Sequence, residues 1–462
     1  MKFSLILIIF MAIFPVSSAQ DDILLEYINT GIKNNLALKQ KDFSLKKSMA
    51  ALNEAEGTFY PSIDISARYT RAEGGRMIDL PVGDLMNPVY SGLNQILGTD
   101  LYPQIPNQQI NFLRKKEHDT KISFVQPIFQ PKIFFNYQIK SDLVEISKSE
   151  KQLYRRELIA EIKKAYYNYN KTCLALDIYN DALQLVKENL RVSKSLYENQ
   201  KVTRDFVYRA EAELSEIKQK ISEAENNKNL SKNYFNFILN RPLDTEIILS
   251  NNTDKEIDYD FSLKEVTEKA LHEREEFKQV SKAIEIADES ESLANSNILP
   301  SLVFAADYGY QGEEYKFNDK YDYWMASLVL NWNLFKGFQD KAKAEQSEYE
   351  KNNLESKYLE LQKKIALQVS DAYHNYETTK QSLETAELRE KSSAAAFDIV
   401  QKKYKEGMAS QIEFIDARTS LTQAKLNKVI TTFDLLIKKS ELEKLTLTDK
   451  VENYLQQSNS EN

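Results

Sequence analysis

From Lys132 to Arg241 the chain contains neither glycine nor proline, and from Phe338 to its last residue it contains only Gly407. Turns draw heavily on those two residues, so a run of more than a hundred residues without them leaves helix as the only economical fold. Glycine is scarce throughout, 11 in 462 residues, about a third of average usage. In the first run Leu158, Ile162, Ala165, Tyr169, Cys173 and Leu176 recur at spacings of three and four, and Leu183, Leu190 and Tyr197 continue from Leu176 at sevens. Leu354, Tyr358, Leu361, Ile365, Val369, Ala372 and Tyr376 repeat the pattern later. Both stretches predict long amphipathic helices with narrow apolar seams. A single helix from Lys132 to Gln200 would run roughly 100 Å at 1.5 Å per residue. No compact core matches that length, so its partners must lie alongside in coiled-coil fashion.

The chain is also duplicated. "AYYNY" at 165–169 and "AYHNY" at 372–376 lie 207 apart, and the same offset pairs Tyr197 with Tyr404, Ala210 with Ala417 and Leu214 with Leu421. Upstream, "FYPSIDISARY" at 59–69 matches "ILPSLVFAADY" at 298–308, and "VQPIFQPK" at 125–132 loosely matches "NWNLFKGF" at 331–338. Each half therefore reads helix, strand, loop, strand, long helix, turn, helix. The expected segments are a signal peptide over 1–19 and a helical segment over 20–58. Strands follow over 59–131 around a long loop at 71–119, then a helical hairpin over 132–241 and a linker over 242–262. The second half has a helical segment over 263–298, strands over 299–335, a hairpin over 336–447 and a tail over 448–462.

The opening has a basic Lys2, an apolar run from Phe3 to Phe14 and small residues at Ser17 and Ala19, the pattern of a secretory signal. Export into an oxidising setting with a single cysteine, Cys173, leaves no disulfide framework. Later stretches fall short of the 18 to 20 apolar residues of a membrane helix, so any membrane entry is expected through strands. Ser62–Thr70 alternates Ile63, Ile65, Ala67 and Tyr69 against Asp64, Ser66 and Arg68, and Leu302, Phe304, Ala306, Tyr308 and Tyr310 share one face of the third strand. The fourth carries both tryptophans, Trp324 and Trp332, on one face with Ala326, Leu328 and Leu330. They stand roughly 26 Å apart along a strand, near the height of a lipid-facing band between aromatic girdles. A buried water-soluble sheet is the competing reading. Four strands in lipid leave two unpaired edges and cannot close a barrel. A dimer supplies eight, which side chains fill, whereas a trimer supplies twelve and leaves a conduit.

Nothing in the residues points to an enzyme. His118, His272 and His374 are far apart without ligand-like partners, there is no phosphate loop or nucleophile elbow, and no cofactor or metal is expected. A net charge of −8 and a pI near 5.4 suggest no nucleic-acid partner.

The duplicated halves, "LPSL" opening a strand, "LNWNLFKGF" leading from strand to long helix and "YKEGMASQIEFIDARTSL" at a helical turn together resemble the TolC-type outer membrane efflux protein family, from about Leu24 to Leu447. The resemblance implies a mainly α fold with membrane β: helical hairpins forming an α-barrel tunnel, and four strands per chain in a 12-stranded trimeric barrel in the outer membrane of a Gram-negative bacterium. Loop 71–119 is then extracellular and linker 242–262 equatorial. It implies a homotrimeric exit duct of a tripartite efflux pump or a type I secretion system, with a periplasmic adaptor and an inner-membrane RND or ABC transporter as partners. Trp324 and Trp332 become anchors at the lipid interface. Gly407 falls where one long helix must reverse. The family's adaptor-contacting turns map onto Val202 and Thr203 and onto Gly407, Met408 and Ala409, and its periplasmic gate onto Tyr404, Glu413 and Asp416. Read without the family, Glu413 and Asp416 are a solvated pair on one helix face.

The chain departs from the family in several places. Ala409 stands where some members have arginine. Gln200, the counterpart of Gly407, predicts a looser first turn. "FQPKIFF" replaces a glycine-containing junction, with Pro131 suited to a helix's first turn. Loop 71–119 is either a floppy excursion or a lid built on Ile78, Leu80, Val82, Leu85, Met86, Val89, Tyr90 and Leu93. A periplasmic adaptor or a coiled-coil rod without a pore is the alternative, and drugs, dyes, cations and polypeptides all stay open as cargo.

Overall fold

The computed structural model describes residues 21–249 and 262–449. The expected signal peptide, most of the linker from residue 250 on, and the tail from residue 450 lie outside the described residues. The first half runs α1 (Asp21–Asn34), α2 (Leu36–Gly57), β1 (Ser62–Arg71), β2 (Met77–Leu80), α3 (Val82–Leu97), β3 (Gln108–Asn111), β4 (Lys116–Phe129), α4 (Pro131–Glu198) and α5 (Arg204–Ile238). The second runs α6 (Leu263–Glu273), α7 (Glu275–Asn295), β5 (Ser301–Gly312), β6 (Asp322–Asn331), α8 (Gln339–Lys405) and α9 (Gln411–Thr446). The duplicated order read from the sequence is present, with β2, α3 and β3 inserted in the first half. Pro131 is the first residue of α4, where its missing N–H has no intrahelical partner to lose.

Contacts divide the chain into two units. The helical unit takes the described residues up to Met49, Asp142–Glu285 and those from Glu350 on. In its first half Tyr27 and Ile28 of α1 pack with Ile159, Ile162 and Tyr166 of α4 and Phe235 of α5. In its second half Val266 and Ala270 of α6 pack with Ile365 and Val369 of α8, and Tyr376 of α8 packs with Leu435 and Leu442 of α9. A short helix pair thus seals each long hairpin, because a narrow seam alone buries too little apolar surface to hold it.

The seam follows the expected positions through Cys173 and then departs from them. Leu176, Leu183 and Leu190 are half-buried and Tyr197 is exposed, whereas Ala182, Val186, Asn189 and Ser193 are buried. The buried line keeps helical spacing but runs onto polar side chains, which a count of apolar residues does not see.

The other unit, Ala50–Ser141 and Ile286–Tyr349, holds an antiparallel four-stranded sheet in the order β1-β4-β5-β6. Its register lines up Ile65, Ile122, Tyr308 and Trp324 across all four strands, and likewise Ile63, Phe124, Ala306 and Ala326. Phe304, Leu328, Leu302 and Leu330 extend the same apolar face. On the opposite face Asp64, Ser123 and Asp307 form one row, and Ser66 and Lys121 the next. There Lys121 donates to Asp307 at 2.6 Å, Arg68 lies 3.7 Å from Asp119, and the Tyr323 hydroxyl donates to Asp119 at 2.9 Å. On the apolar face Ile65 and Trp324 are each 77% exposed. Trp332 lies one residue past β6, also exposed, with its indole N–H bonded to the Ile298 carbonyl at 2.9 Å.

The region read as loop 71–119 is folded, and β4 begins within it at Lys116. The apolar cluster on which a lid would be built does not form: Leu85 and Val89 are exposed, and the buried residue of α3 is Gly83. The reason is that α3 turns its polar face inward onto the strap that follows it.

Candidate functional site

The two helical reversals, α4 to α5 and α8 to α9, share one geometry. Gly407 adopts φ +74, and Gln200, its counterpart 207 residues earlier, adopts φ +55. The N–H of Met408 donates to the Lys403 carbonyl at 2.8 Å and that of Gly407 to Tyr404 at 3.1 Å. In the first turn Lys201 donates to Leu196 at 2.8 Å and Gln200 to Tyr197 at 2.9 Å. This paired closure of the last carbonyls around a left-handed residue is the usual way to end a helix sharply. The first turn is therefore as tight as the second, contrary to the expectation drawn from its missing glycine. Gln200 bears the steric strain that glycine avoids, about 1–2 kcal/mol for a side chain in the left-handed region. Gly407→Ala is expected to lower local stability by about 1 kcal/mol, and Gln200→Gly to raise it by a few tenths to about 1 kcal/mol. Amide exchange at the two turns, compared in the same preparation, measures both.

Past each turn the next helix begins at a matched position, Thr203 before α5 and Ser410 before α9. Ser410 forms a full capping box: its N–H donates to Glu413 Oε2 at 2.7 Å, its hydroxyl donates to the same oxygen at 2.9 Å, and the Glu413 N–H donates back to Ser410 Oγ at 3.3 Å. The Ser410 backbone and hydroxyl hold the Glu413 carboxyl below its ordinary range. A depressed carboxylate stabilises only while ionised, so this cap is complete at neutral pH and fades as pH falls through the acid range.

Just inside the turns a buried polar junction joins all four long helices of the helical unit. Tyr404 of α8 stacks on Phe414 of α9 at 4.7 Å between centroids and donates its hydroxyl to Asn189 Oδ1 of α4 at 3.2 Å. The Asn189 amide donates to Glu213 Oε2 of α5 at 3.2 Å, and Arg418 of α9 donates to the other oxygen of Glu213. Beside them Gln411 of α9 donates to Ser193 Oγ of α4 and to the Phe206 carbonyl of α5, both at 3.0 Å. Arg418 and Glu213 are nearly inaccessible to water.

Of the residues singled out in the sequence, Tyr404 belongs to this junction. Glu413 and Asp416 stay exposed on α9, the first tied up in the cap, and so do Thr203, Gly407 and Met408 at the turns, with Val202 and Ala409 half-buried. Asn189, Ser193, Glu213, Gln411 and Arg418 were missed. The available signal was a polar residue where the seam expects an apolar one: Asn189 and Ser193 continue Ala182 and Val186, Glu213 sits between Ala210 and Ile217, and Arg418 follows Phe414 by four.

Residues 266–446 match the family model described as outer membrane efflux protein. Over these residues the chain is similar to the outer membrane efflux protein family. The match takes in α8, the second turn and all of α9, and so includes half of the polar junction. The fold of the whole chain is that of solved channels. The CmeC outer membrane channel of Campylobacter jejuni aligns with a TM-score of 0.77 at 14% identity, over 94% of this chain and 89% of that one. The open-state MtrE outer membrane channel of Neisseria gonorrhoeae gives 0.75 at 15% identity, over 92% and 88%. The outer membrane protein VceC of Vibrio cholerae gives 0.72 at 14%, over 92% and 95%. No curated protein matches by sequence. The setting of the efflux protein family and of these channels is the outer membrane.

No described helix is long and apolar enough to cross a membrane, and among the described residues no group of three or more His, Cys, Asp or Glu side chains could hold a metal. Among the described residues the features left to consider are the sheet's two faces and the helical turns.

Proposed function

We propose that three copies of the chain assemble into an outer-membrane channel whose barrel has twelve strands, four from each copy, continued by a tunnel of long helices. The observation that carries this is the sheet: apolar side chains line up across four strands on one face, the ion pairs lie on the other, and β1 and β6 end it as open edges. In lipid each unpaired backbone group costs several kcal/mol, so open edges demand neighbouring copies. The apolar face meets lipid, with Trp324 and Trp332 at its rims, and the face carrying Asp64, Lys121 and Asp307 lines water.

In this reading the channel is the exit duct of a tripartite efflux pump or a type I secretion system. The turns at Val202, Thr203, Gly407, Met408 and Ala409 meet a periplasmic adaptor, and an RND or ABC transporter drives the cargo. Three copies of Glu413 and Asp416 form acidic rings at the inner end that favour cations, and Tyr404 closes that end from behind.

Protein extracted from outer membranes should run as a heat-modifiable trimer and form pores in planar bilayers. The double variant Glu413→Gln with Asp416→Asn should lower cation selectivity in single-channel recordings. A soluble periplasmic monomer would defeat the channel; a pore with unchanged selectivity would take only the acidic pair out of it.

A further inference from the structure

Where β1 finishes and β4 begins, the register sets two cations side by side. Arg71 pairs with Lys116, and the next pair is joined by a hydrogen bond from the Ala72 N–H to the Lys115 carbonyl at 3.1 Å. Bonded and unbonded pairs alternate along an antiparallel ladder, so Arg71 and Lys116 form the unbonded kind, whose side chains stand closer. Counted by alternation from Ile65 and Ile122, both lie on the apolar face. Both are exposed, and neither forms an ion pair among the described residues. Like charges directly opposite each other destabilise a sheet. An anion held between them removes that cost.

The row beneath them is aromatic. Tyr69 pairs with His118, and Tyr315, from the loop between β5 and β6, stacks on His118 at 4.1 Å and on Tyr69 at 6.2 Å. His118 is fully buried, and its Nε2–H donates to the Glu314 carbonyl at 2.8 Å, which fixes the loop against this face. Tyr310, then Tyr308 with Trp324, carry the aromatic rows down to the aliphatic ones at Ile63 and Leu328. Along one direction the face therefore grades from aliphatic through aromatic to cationic. Hydrocarbon, interface and anionic headgroups follow each other in the same order across a leaflet.

We propose that Arg71 and Lys116 together hold a phosphate of a phosphorylated lipid headgroup in the outer leaflet. The inference rests on the reading above that the apolar face meets lipid. A guanidinium fork matches two phosphate oxygens, and the ammonium adds a point charge. The loop does not neutralise the pair: Glu314 is near enough to act on Lys116, but its carboxylate is bonded to Lys316 at 2.6 Å. A carboxylate from a neighbouring copy fits less well. That copy joins at β1 and brings β6, with Asp322 on this face, beside Arg71, whereas Lys116 stands on β4, one strand further in. Free phosphate offers the same oxygens without acyl chains for the rows beneath.

The test uses full-length trimer purified in detergent and incubated with lipid A, a bis-phosphorylated glycolipid, or with its dephosphorylated form, retained lipid being counted by native mass spectrometry. Up to three lipid A molecules per trimer should stay bound. Arg71→Gln with Lys116→Gln should weaken retention on the order of twentyfold, since each cation near an anionic surface counts for about fivefold. The exchange Arg71→Lys with Lys116→Arg should keep it, and so should Arg68→Gln, which removes a cation from the opposite face of β1. The dephosphorylated lipid should bind the parent no better than lipid A binds the double glutamine variant. Equal retention by parent and double variant overturns the proposal and leaves the channel reading intact. So does displacement of lipid A by inorganic phosphate but not by chloride of equal ionic strength, which would make this a site for the free ion. A double variant whose trimer dissociates in lipid-free detergent also overturns it, assigning the cations to a neighbour's carboxylate. Absence of a heat-modifiable trimer in the parent overturns the channel reading, and this inference with it.

Discussion

Replacing Arg418 by methionine should raise amide exchange around both helical turns on the order of a hundredfold or more. The substitution keeps the volume and removes the positive charge that Glu213 faces in a nearly dry junction. A carboxylate left buried without its partner costs about 3–5 kcal/mol, and each 1.4 kcal/mol is tenfold in an opening equilibrium. The loss should be local, because the junction joins α4, α5, α8 and α9 through one set of hydrogen bonds and lies apart from the apolar clusters around Tyr166 and Tyr376. Adding Glu213→Leu to Arg418→Met should recover most of the protection, since a volume-matched apolar pair replaces the ion pair at little cost. If the single variant exchanges like the parent, Glu213 is reached by water and the junction is no strut. In the proposed channel the same variant should give a less stable closed level in planar bilayers, because the turns would no longer be held by the helices behind them.

Leu328→Arg and Ser327→Arg should have opposite fates although the residues are neighbours on β6. Leu328 pairs with Phe304 on the apolar face, and Ser327 pairs with Ala305 on the other. An arginine in contact with the hydrocarbon midplane of a barrel costs about 2–4 kcal/mol, whereas one on the lumen side is solvated. In the proposed trimer each of three copies bears the penalty, so Leu328→Arg should abolish most of the heat-modifiable trimer and Ser327→Arg should leave it assembled with altered ion selectivity. Equal tolerance would mean that the apolar face does not meet lipid; equal loss would mean a sheet buried on both sides.

The long helices, the duplication and the strand faces were all readable in the amino-acid order. They depend on periodicity and on the absence of glycine and proline, and both are local properties that packing does not override over such lengths. Trp324 could be placed on the face with Leu328 because a strand's alternation has no other solution once begun. The turn at Gly407 was legible for the same reason, since a lone glycine in a breaker-free run has few other uses. Its counterpart was not. Gln200 takes the left-handed conformation because the hairpin's helices fix where the chain must reverse, and intrinsic preference there argues against it.

The junction and the insert were beyond periodicity. Asn189, Glu213 and Arg418 are separately unremarkable polar residues on long polar helices, and they become a buried set only when four helices from two repeats bring them within hydrogen-bonding reach. Loop 71–119 was read as either a floppy excursion or a lid built on its apolar residues. Instead Asn87, Asn94 and Asn107 claim the strap and turn those residues outward. By itself, then, the sequence determined the elements, their lengths, their repetition and which side of each strand is apolar, since each follows from interactions between residues a few positions apart. Tertiary structure alone decided which polar groups are buried together and which apolar surface is left bare, since hydrogen bonding over distances of tens to hundreds of residues depends on partners that no local pattern names.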